Sequence, residues 1–446
     1  MNRPVKQGYC RLEPYEGKLS RTVPRGGLPR EGEPLLDYCV MIELKRTKYL
    51  AVIEPFIHDG CIIKVLSGIR RCGKSTIMKQ IADDARNSGD VSIVYLDLDE
   101  DIYENITTPE LLRSVIEESF SGSEKKKYLF IDEVQNVEGF ETVVESYRKK
   151  DISVFITGSN SYLLSSELTT KLTGRYIEFR ILPFSFSEVE EYRRQNNITI
   201  NVQSDFTDYL IYGGMPKRFD YPAVSSQERY VFAILEEIIK KDILKRGNVR
   251  NRELLERLIA FISSIPSQEI SIDSITDFVS KQDSPTKKDT VRKYLNEIFS
   301  SNIASKCMMD DVMGKKVLKI HYKSYLADLA LHTFVSSKKD KLDYGMLIEN
   351  VVYNELISRG YSVLVGRKGK AEIDFVVSDG MRKAYVQVAY LMPDSEVVKR
   401  EEEPLLAMRD GFPKYIISMD PLTLSNNGIK RLNLVNDFLL GDGFVL

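Results

Sequence analysis

Short apolar runs of β-strand length alternate with amphipathic stretches of helical period through the first half of this chain. The runs are Ile62 to Ser67, Val91 to Leu98, Tyr128 to Val134, Ile152 to Gly158 and Arg175 to Ile181. Between them, Ser75 to Arg86 and Pro109 to Phe120 carry apolar residues at helical spacing. Strands that are apolar throughout and separated by helices predict a parallel, doubly wound α/β sheet covered on both faces. The pattern ends at Pro183-Phe-Ser-Phe-Ser-Glu188, where Ser185 and Glu188 have the spacing of a capping box for the next helix.

Downstream the period changes. Residues 205 to 260 read as helical, interrupted by the turn Gly213-Gly214-Met215-Pro216, and predict a helical lid. Helices at Glu253 to Ser263, Asp273 to Ser280 and Lys288 to Phe299 then precede strands around Ile303 to Met308 and Lys316 to Tyr322, a winged-helix order. The last segment predicts a helix over Met346 to Arg359 with Glu349 and Glu355. After it come the strand Glu372-Ile-Asp374-Phe-Val-Val, a turn at Asp379-Gly380 and the strand Ala384 to Tyr390. The domains expected are 1–40, 41–200, 201–330 and 331–446. The first is set apart by Pro4, Pro14, Pro24, Pro29 and Pro34 in a polar stretch without period, which reads as disordered, with Met41 as a candidate natural start.

The first strand runs into Gly68-Ile-Arg-Arg-Cys-Gly73-Lys74-Ser75, which fits G-x-x-x-x-G-K-[ST] and opens a helix. Glycines at these spacings let successive backbone N–H groups face phosphates at a helix N-terminus. The loop residues Gly68, Arg71, Cys72, Gly73, Lys74, Ser75 and Thr76 are therefore candidate nucleotide ligands, with Lys74 on the β- and γ-phosphates and Ser75 on Mg2+. Asp132, ending the run Tyr128-Leu-Phe-Ile, is the second candidate Mg2+ ligand. Glu133 beside it is the candidate base for water, which favours ATP hydrolysis over a GTP switch. Ser159 and Asn160 follow the fourth strand and either sense the γ-phosphate or cap a helix. Arg175, on a tight turn, is a candidate arginine finger and otherwise a surface arginine. Cys72 is either a thiol activated by Lys74 and backbone amides or a filler of a variable loop position.

Charge and cysteine content narrow the class. Sixty-three basic against 65 acidic residues leave a net charge of −2, so a nucleic-acid partner must use a local patch. Lys287, Lys288, Arg292 and Lys293 form one such candidate, against the reading of a solvated helix face. The five cysteines and three histidines have no zinc or disulfide spacing, and no apolar run is long enough to span a membrane. A cytoplasmic protein without a membrane partner is expected.

These motifs together resemble the prokaryotic AAA-type ATPases that carry a C-terminal domain of unknown function with a PD-(D/E)XK-like nuclease core. The residues that carry the resemblance are Ser67 to Ser75, Phe130-Ile-Asp-Glu-Val-Gln135, Ile156-Thr-Gly-Ser-Asn-Ser161, Gly174-Arg175 with Leu182 to Ser185, Gly213 to Pro216, Glu349-Asn350, Glu372-Ile-Asp374 and Gln387-Val-Ala-Tyr390. The resemblance implies ATP binding with Mg2+, hydrolysis, and a sheet whose sensor strand lies between the phosphate-loop and acidic strands. In the nuclease-like segment Ala389 stands where a lysine belongs and Gln387 where a carboxylate is usual, so Asp374 with Glu349 or Glu372 holds a metal weakly at best and a binding-only fold is expected. Two readings follow. In one, hydrolysis moves the winged-helix and C-terminal domains on DNA or RNA; in the other, a slow nucleotide switch recruits a protein partner. Homo-oligomerisation is left open by both.

Overall fold

The computed structural model describes residues 43–158, 172, 174–246, 248–282, 286–311, 322–336, 343–368, 371–421 and 425–446. The proline-rich segment read as disordered and the helix read from Ser161 to Leu172 lie outside the described residues, except Leu172. All of the architecture below belongs to the unit Ile42–Leu446.

The first sheet contains β1 (Ile63–Ser67), β2 (Val91–Asp97), β3 (Lys126–Asp132), β4 (Ser153–Gly158) and β5 (Tyr176–Arg180) in the order β2-β3-β4-β1-β5, with every pairing parallel. Thus β4 lies between the strand feeding the phosphate loop and the strand ending in Asp132, as the resemblance implies. Alternation along each strand divides the apolar side chains between two cores. Ile63, Val65, Leu129, Ile131, Val154 and Ile156 share one core with Leu112 and Ile116 of α3 (Pro109–Ser119) and Val143 and Val144 of α4 (Glu141–Arg148). Leu66, Tyr128, Phe130 and Phe155 face the other, against Ile77, Met78 and Ile81 of α2 (Lys74–Ser88).

That second core does not stop at the sheet. It continues into α7 (Val224–Glu237), α8 (Arg252–Ser264), α9 (Ile272–Gln282), α10 (Lys288–Ser300) and α11 (Ala330–Val335), so the helical region packs directly on the nucleotide side of the sheet. The expected lid is built from α6 (Val202–Tyr212), α7 and the turn between them. Gly213 in that turn has φ +72°, and a Cβ there would meet Asp328 Oδ1 at 1.8 Å. Only glycine fits. Asp328 in turn accepts from the N–H of Gly214 and of Ala330, each at 2.8 Å, and burial pushes its carboxyl up to about 6.

The three helices α8 to α10 are followed by a hairpin, β6 (Ala304–Asp311) and β7 (Tyr322–Leu326). The second strand is described from Tyr322, the last residue of the run expected at Lys316 to Tyr322; the rest of that run lies outside the described residues. The polar Lys323 and Ser324 of β7 are buried rather than exposed, which hides the strand from a hydropathy pattern. The hairpin also joins a larger sheet, because β6 pairs in parallel with β8 (Ser362–Lys368). The resulting seven-stranded sheet has the order β12-β11-β10-β9-β8-β6-β7, with β9 (Ala371–Asp379), β10 (Arg382–Ala389), β11 (Lys414–Ser418) and β12 (Ile429–Asn433). α12 (Tyr344–Ser358) covers one face together with α6 and α5 (Phe186–Gln195), and α13 (Ser395–Leu406) covers the other.

A single buried side chain ties several of these parts together. Arg46, only 1% exposed, precedes α1 (Thr47–Ile53) and donates from Nε to Glu188 Oε1 at 2.6 Å and from Nη2 to Glu188 Oε2 at 2.9 Å. Its Nη1 donates to the carbonyl of Cys72 at 3.0 Å and its Nη2 to that of Leu182 at 3.1 Å. Glu188 belongs to the capping box with Ser185 at the start of α5, as its spacing predicts. Removing the cation alone leaves a carboxylate buried without its charge partner, which costs about 3–5 kcal/mol. Arg46→Met is expected to lose that much stability in urea unfolding, and Arg46→Met combined with Glu188→Met to regain most of it; a neutral single variant would refute the role.

Candidate active site

The phosphate loop is shaped by contacts that exclude side chains. Gly68 has φ +149°, and a Cβ there would meet the carbonyl oxygen of Ile181 at 2.1 Å, so the loop is pressed against the segment leaving β5. Gly73, at φ +103°, opens α2 and turns the following N–H groups toward the concave side. Lys74 is buried, and its Nζ donates to the carbonyls of Gly68 at 3.0 Å and Ile69 at 3.2 Å. The ammonium thus spans the loop it serves.

Cys72 offers this site only its backbone. Its thiol is buried and donates to the Ile181 carbonyl at 3.3 Å, and burial pushes the thiol up against the opposing pull of Lys74 and Arg46. The activated-thiol reading is therefore corrected. Desolvation outweighs the nearby cations, and Cys72 fills the core beneath the loop.

Opposite the loop, Asp132 ends β3 and is 1% exposed. Thr157, near the end of β4, donates its hydroxyl to Asp132 Oδ1 and accepts the N–H of Glu133 at 3.1 Å. Glu133 lies in the left-handed region at φ +52°, and Gln135 donates to its Oε2. One hydroxyl on the neighbouring strand fixes both acids. Thr157 was not a candidate from sequence, because strand order rather than spacing brings it beside Asp132.

A cavity of about 370 Å³ lies between these elements and the lid, lined by Arg70, Arg71, Gly73, Lys74, Ser75, Thr76 and Glu133. Asp97, Asp99, Pro216, Lys217, Tyr230 and Glu237 complete it. Arg71, at φ +61°, is clamped by Glu237 Oε2 at 3.0 Å. Arg70 pairs with Asp242 through Nε at 2.8 Å and Nη2 at 3.2 Å. Asp242 lies on the π-helical turn Ile238–Ile243 that continues α7, a local widening that recurs at functional sites. The lid therefore grips the phosphate loop by its two arginines. From sequence, the lid acids were invisible because they lie more than 160 residues away.

Residues 62–190 match the family described as AAA domain, and residues 203–342 match a domain of unknown function, DUF8612. An uncharacterized protein of Haemophilus influenzae is 33% identical over 380 residues, which cover 84% of this chain and 93% of that one. The chain belongs to the family of that protein and carries an AAA domain. An uncharacterized protein of Methanocaldococcus jannaschii is 25% identical over 415 residues, covering 90% of this chain and 91% of its own. Among solved structures, Cdc6p from Pyrobaculum aerophilum has 10% identity and a TM-score of 0.29, covering 68% of this chain and 92% of that one, a likeness too slight to carry argument. No helix among the described residues is long and apolar enough to cross a membrane.

Ser159 and Asn160 lie outside the described residues. Arg175 sits at the amino end of β5, where its carbonyl accepts from Ile63 and its Nη1 meets Glu145 Oε1 at 3.0 Å. Because β5 runs parallel to β1, this is the end of the sheet remote from the phosphate loop, roughly 16 Å along the strand. Within its own chain Arg175 does not reach the phosphates. In the C-terminal sheet, Glu349, Glu372 and Asp374 come together, whereas Glu355 faces Lys48 and Arg359 instead, each through a contact of 2.9 Å or less.

Since Thr157 holds the Asp132 carboxylate and the backbone of Glu133 and does not line the cavity, its loss should act on turnover more than on binding. Thr157→Val is expected to lower the ATP kcat by about 10–100-fold with KM within a few-fold. An unchanged kcat in steady-state hydrolysis would remove Thr157 from the mechanism.

Proposed function

We propose that this AAA-domain ATPase hydrolyses ATP with Mg2+ at the loop Gly68 to Ser75 and uses the cycle to rearrange its hairpin-bearing helical region and C-terminal sheet on nucleic acid. The observation that carries the reading is the cavity that Lys74, Ser75 and Glu133 line together, with Thr157 joining the backbone N–H of Glu133 to the carboxylate of Asp132. The donor set suits a magnesium-bound triphosphate: backbone amides and Lys74 for the phosphates, Ser75 and Asp132 for the ion, Glu133 for the water. Bound Mg2+ would neutralise charge on the β- and γ-oxygens. Glu133, freed from Gln135, accepts the proton of the attacking water, while Thr157 holds the Asp132 carboxylate and the backbone N–H of Glu133.

The helices α8 to α10 with the hairpin β6–β7 suit a winged-helix module, and the strands β8 to β12 with α12 suit a PD-(D/E)XK-like core. On α10, Lys288 meets Asp273 at 2.8 Å and Arg292 meets Asp289 at 2.7 Å, so half of the candidate phosphate contacts are already paired. A second reading, a slow nucleotide switch acting on a protein partner, is favoured by the clamp of Arg70 and Arg71 on the lid acids. ATP phosphates compete for those arginines, so binding alone loosens the lid. In a homo-oligomer, Arg175 would serve a neighbouring subunit's site.

Steady-state hydrolysis with Mg2+, with and without single- and double-stranded DNA at low salt, tests these points. Glu133→Gln is expected to reduce turnover by about 10²–10⁴-fold while ATP binding persists, with DNA changing the wild-type rate. Negligible wild-type turnover would leave the switch. An absence of both DNA binding and rate change would discard nucleic acid, and activity regained on mixing Lys74→Ala with Arg175→Ala chains would assign Arg175 to a shared site.

A further inference from the structure

The acidic cleft of the C-terminal sheet holds a cation that no motif predicts. Glu349 comes from α12 and Glu372 and Asp374 from β9, and Lys323 of β7 points its ammonium among them. Lys323 Nζ lies 2.8 Å from Glu372 Oε1, 3.1 Å from Glu349 Oε1 and 3.7 Å from Asp374 Oδ1. Two of the carboxylates have further donors: Tyr325 donates to the same Glu349 Oε1 at 2.7 Å, and the N–H of Val388 donates to Asp374 Oδ2 at 2.8 Å.

The side chain of Lys323 is only 9% exposed. Burial alone would drive a lysine toward neutrality, but Glu349, Asp374 and Glu372 outweigh it and hold the ammonium charged. Among the described residues, no group of three or more His, Cys, Asp or Glu side chains is arranged to hold a metal ion. The same three carboxylate oxygens nevertheless converge on one point, where a nitrogen already sits.

We propose that the Lys323 ammonium stands in the place of a divalent cation, bolting the β6–β7 hairpin to the C-terminal sheet, and that the cleft takes a divalent metal only when Lys323 is withdrawn. The charge count supports the exchange. Carboxylates crowded around one point must be neutralised, and either a tethered ammonium or a hard divalent cation with oxygen ligands does so. Tethering gives Lys323 the advantage, because β7 delivers the ammonium at high local concentration while a metal must displace it from solution. The inference does not rest on ATP hydrolysis, since it concerns neither the phosphate loop nor the lid.

Mn2+ titration of the full-length chain without nucleotide, by calorimetry and thermal melting, tests it. Wild type is expected to show no saturable binding below about 1 mM that depends on Asp374. Lys323→Ala and Lys323→Met are expected to melt lower in EDTA, to recover several degrees with Mn2+, and to gain one binding site that Asp374→Asn abolishes. Folded variants that gain no such site would overturn the proposal, as would wild-type Mn2+ binding abolished by Asp374→Asn. Should neither variant fold, the wild-type titration with and without Asp374→Asn still decides between these outcomes.

Discussion

The guanidinium of Arg46 is the contact on which the nucleotide site depends. In one buried place it meets the carbonyl of Cys72 inside the phosphate loop, the carbonyl of Leu182 beyond β5, and the carboxylate that caps α5. Those three segments have no regular hydrogen-bond ladder in common, so without a shared partner each would satisfy its polar groups separately. A planar fork with donors in fixed directions holds all three in one geometry. The aromatic rings of Tyr49 and Phe184 lie 4.8 and 5.1 Å from it and keep water out. The loop is thereby set before nucleotide arrives, which is how a phosphate cradle avoids losing binding energy to ordering.

From the same loop a second set of contacts leads outward. Arg70 and Arg71 reach across the cavity to Asp242 and Glu237, and the core under that part of the lid continues without interruption into α8 to α11. On the other side, α5 and α6 share a core with the C-terminal sheet. Any change in the grip of the lid on the loop is therefore felt in packed side chains rather than through a linker. The hairpin β6–β7 closes the circuit, because it follows the helices in sequence, pairs with β8, and delivers Lys323 to the acidic cleft.

What the sequence disclosed was whatever depends on neighbours in the chain. The phosphate-loop motif, the acids Asp132 and Glu133 at the end of β3, the capping box of Ser185 and Glu188 and the double glycine of the turn are each written in adjacent or closely spaced residues, although the contacts that require Gly68 and Gly213 come from Ile181 and Asp328. The strands of the first sheet were legible because their apolar residues are continuous. By contrast Arg46, Thr157, the lid acids and Lys323 act on partners 24 or more residues away, and nothing local distinguishes them from ordinary polar residues. The burial of Lys323 in β7 was hidden for the same reason, since the charges that bury it come from α12 and β9. Cys72 shows the converse: its position in the loop suggested reactivity, and the packing beneath the loop decides against it.

The central claim is that the cavity between the phosphate loop and the lid binds ATP through Lys74 and the loop amides. Equilibrium titration of a fluorescent ATP analogue with Mg2+, on wild type and on Lys74→Ala, tests it most directly. Saturable binding by the wild type that Lys74→Ala weakens by at least about tenfold is the predicted result, corresponding to about 1.4 kcal/mol. Equal affinity in the two proteins, or none in the wild type, would contradict the assignment of this cavity as the nucleotide site.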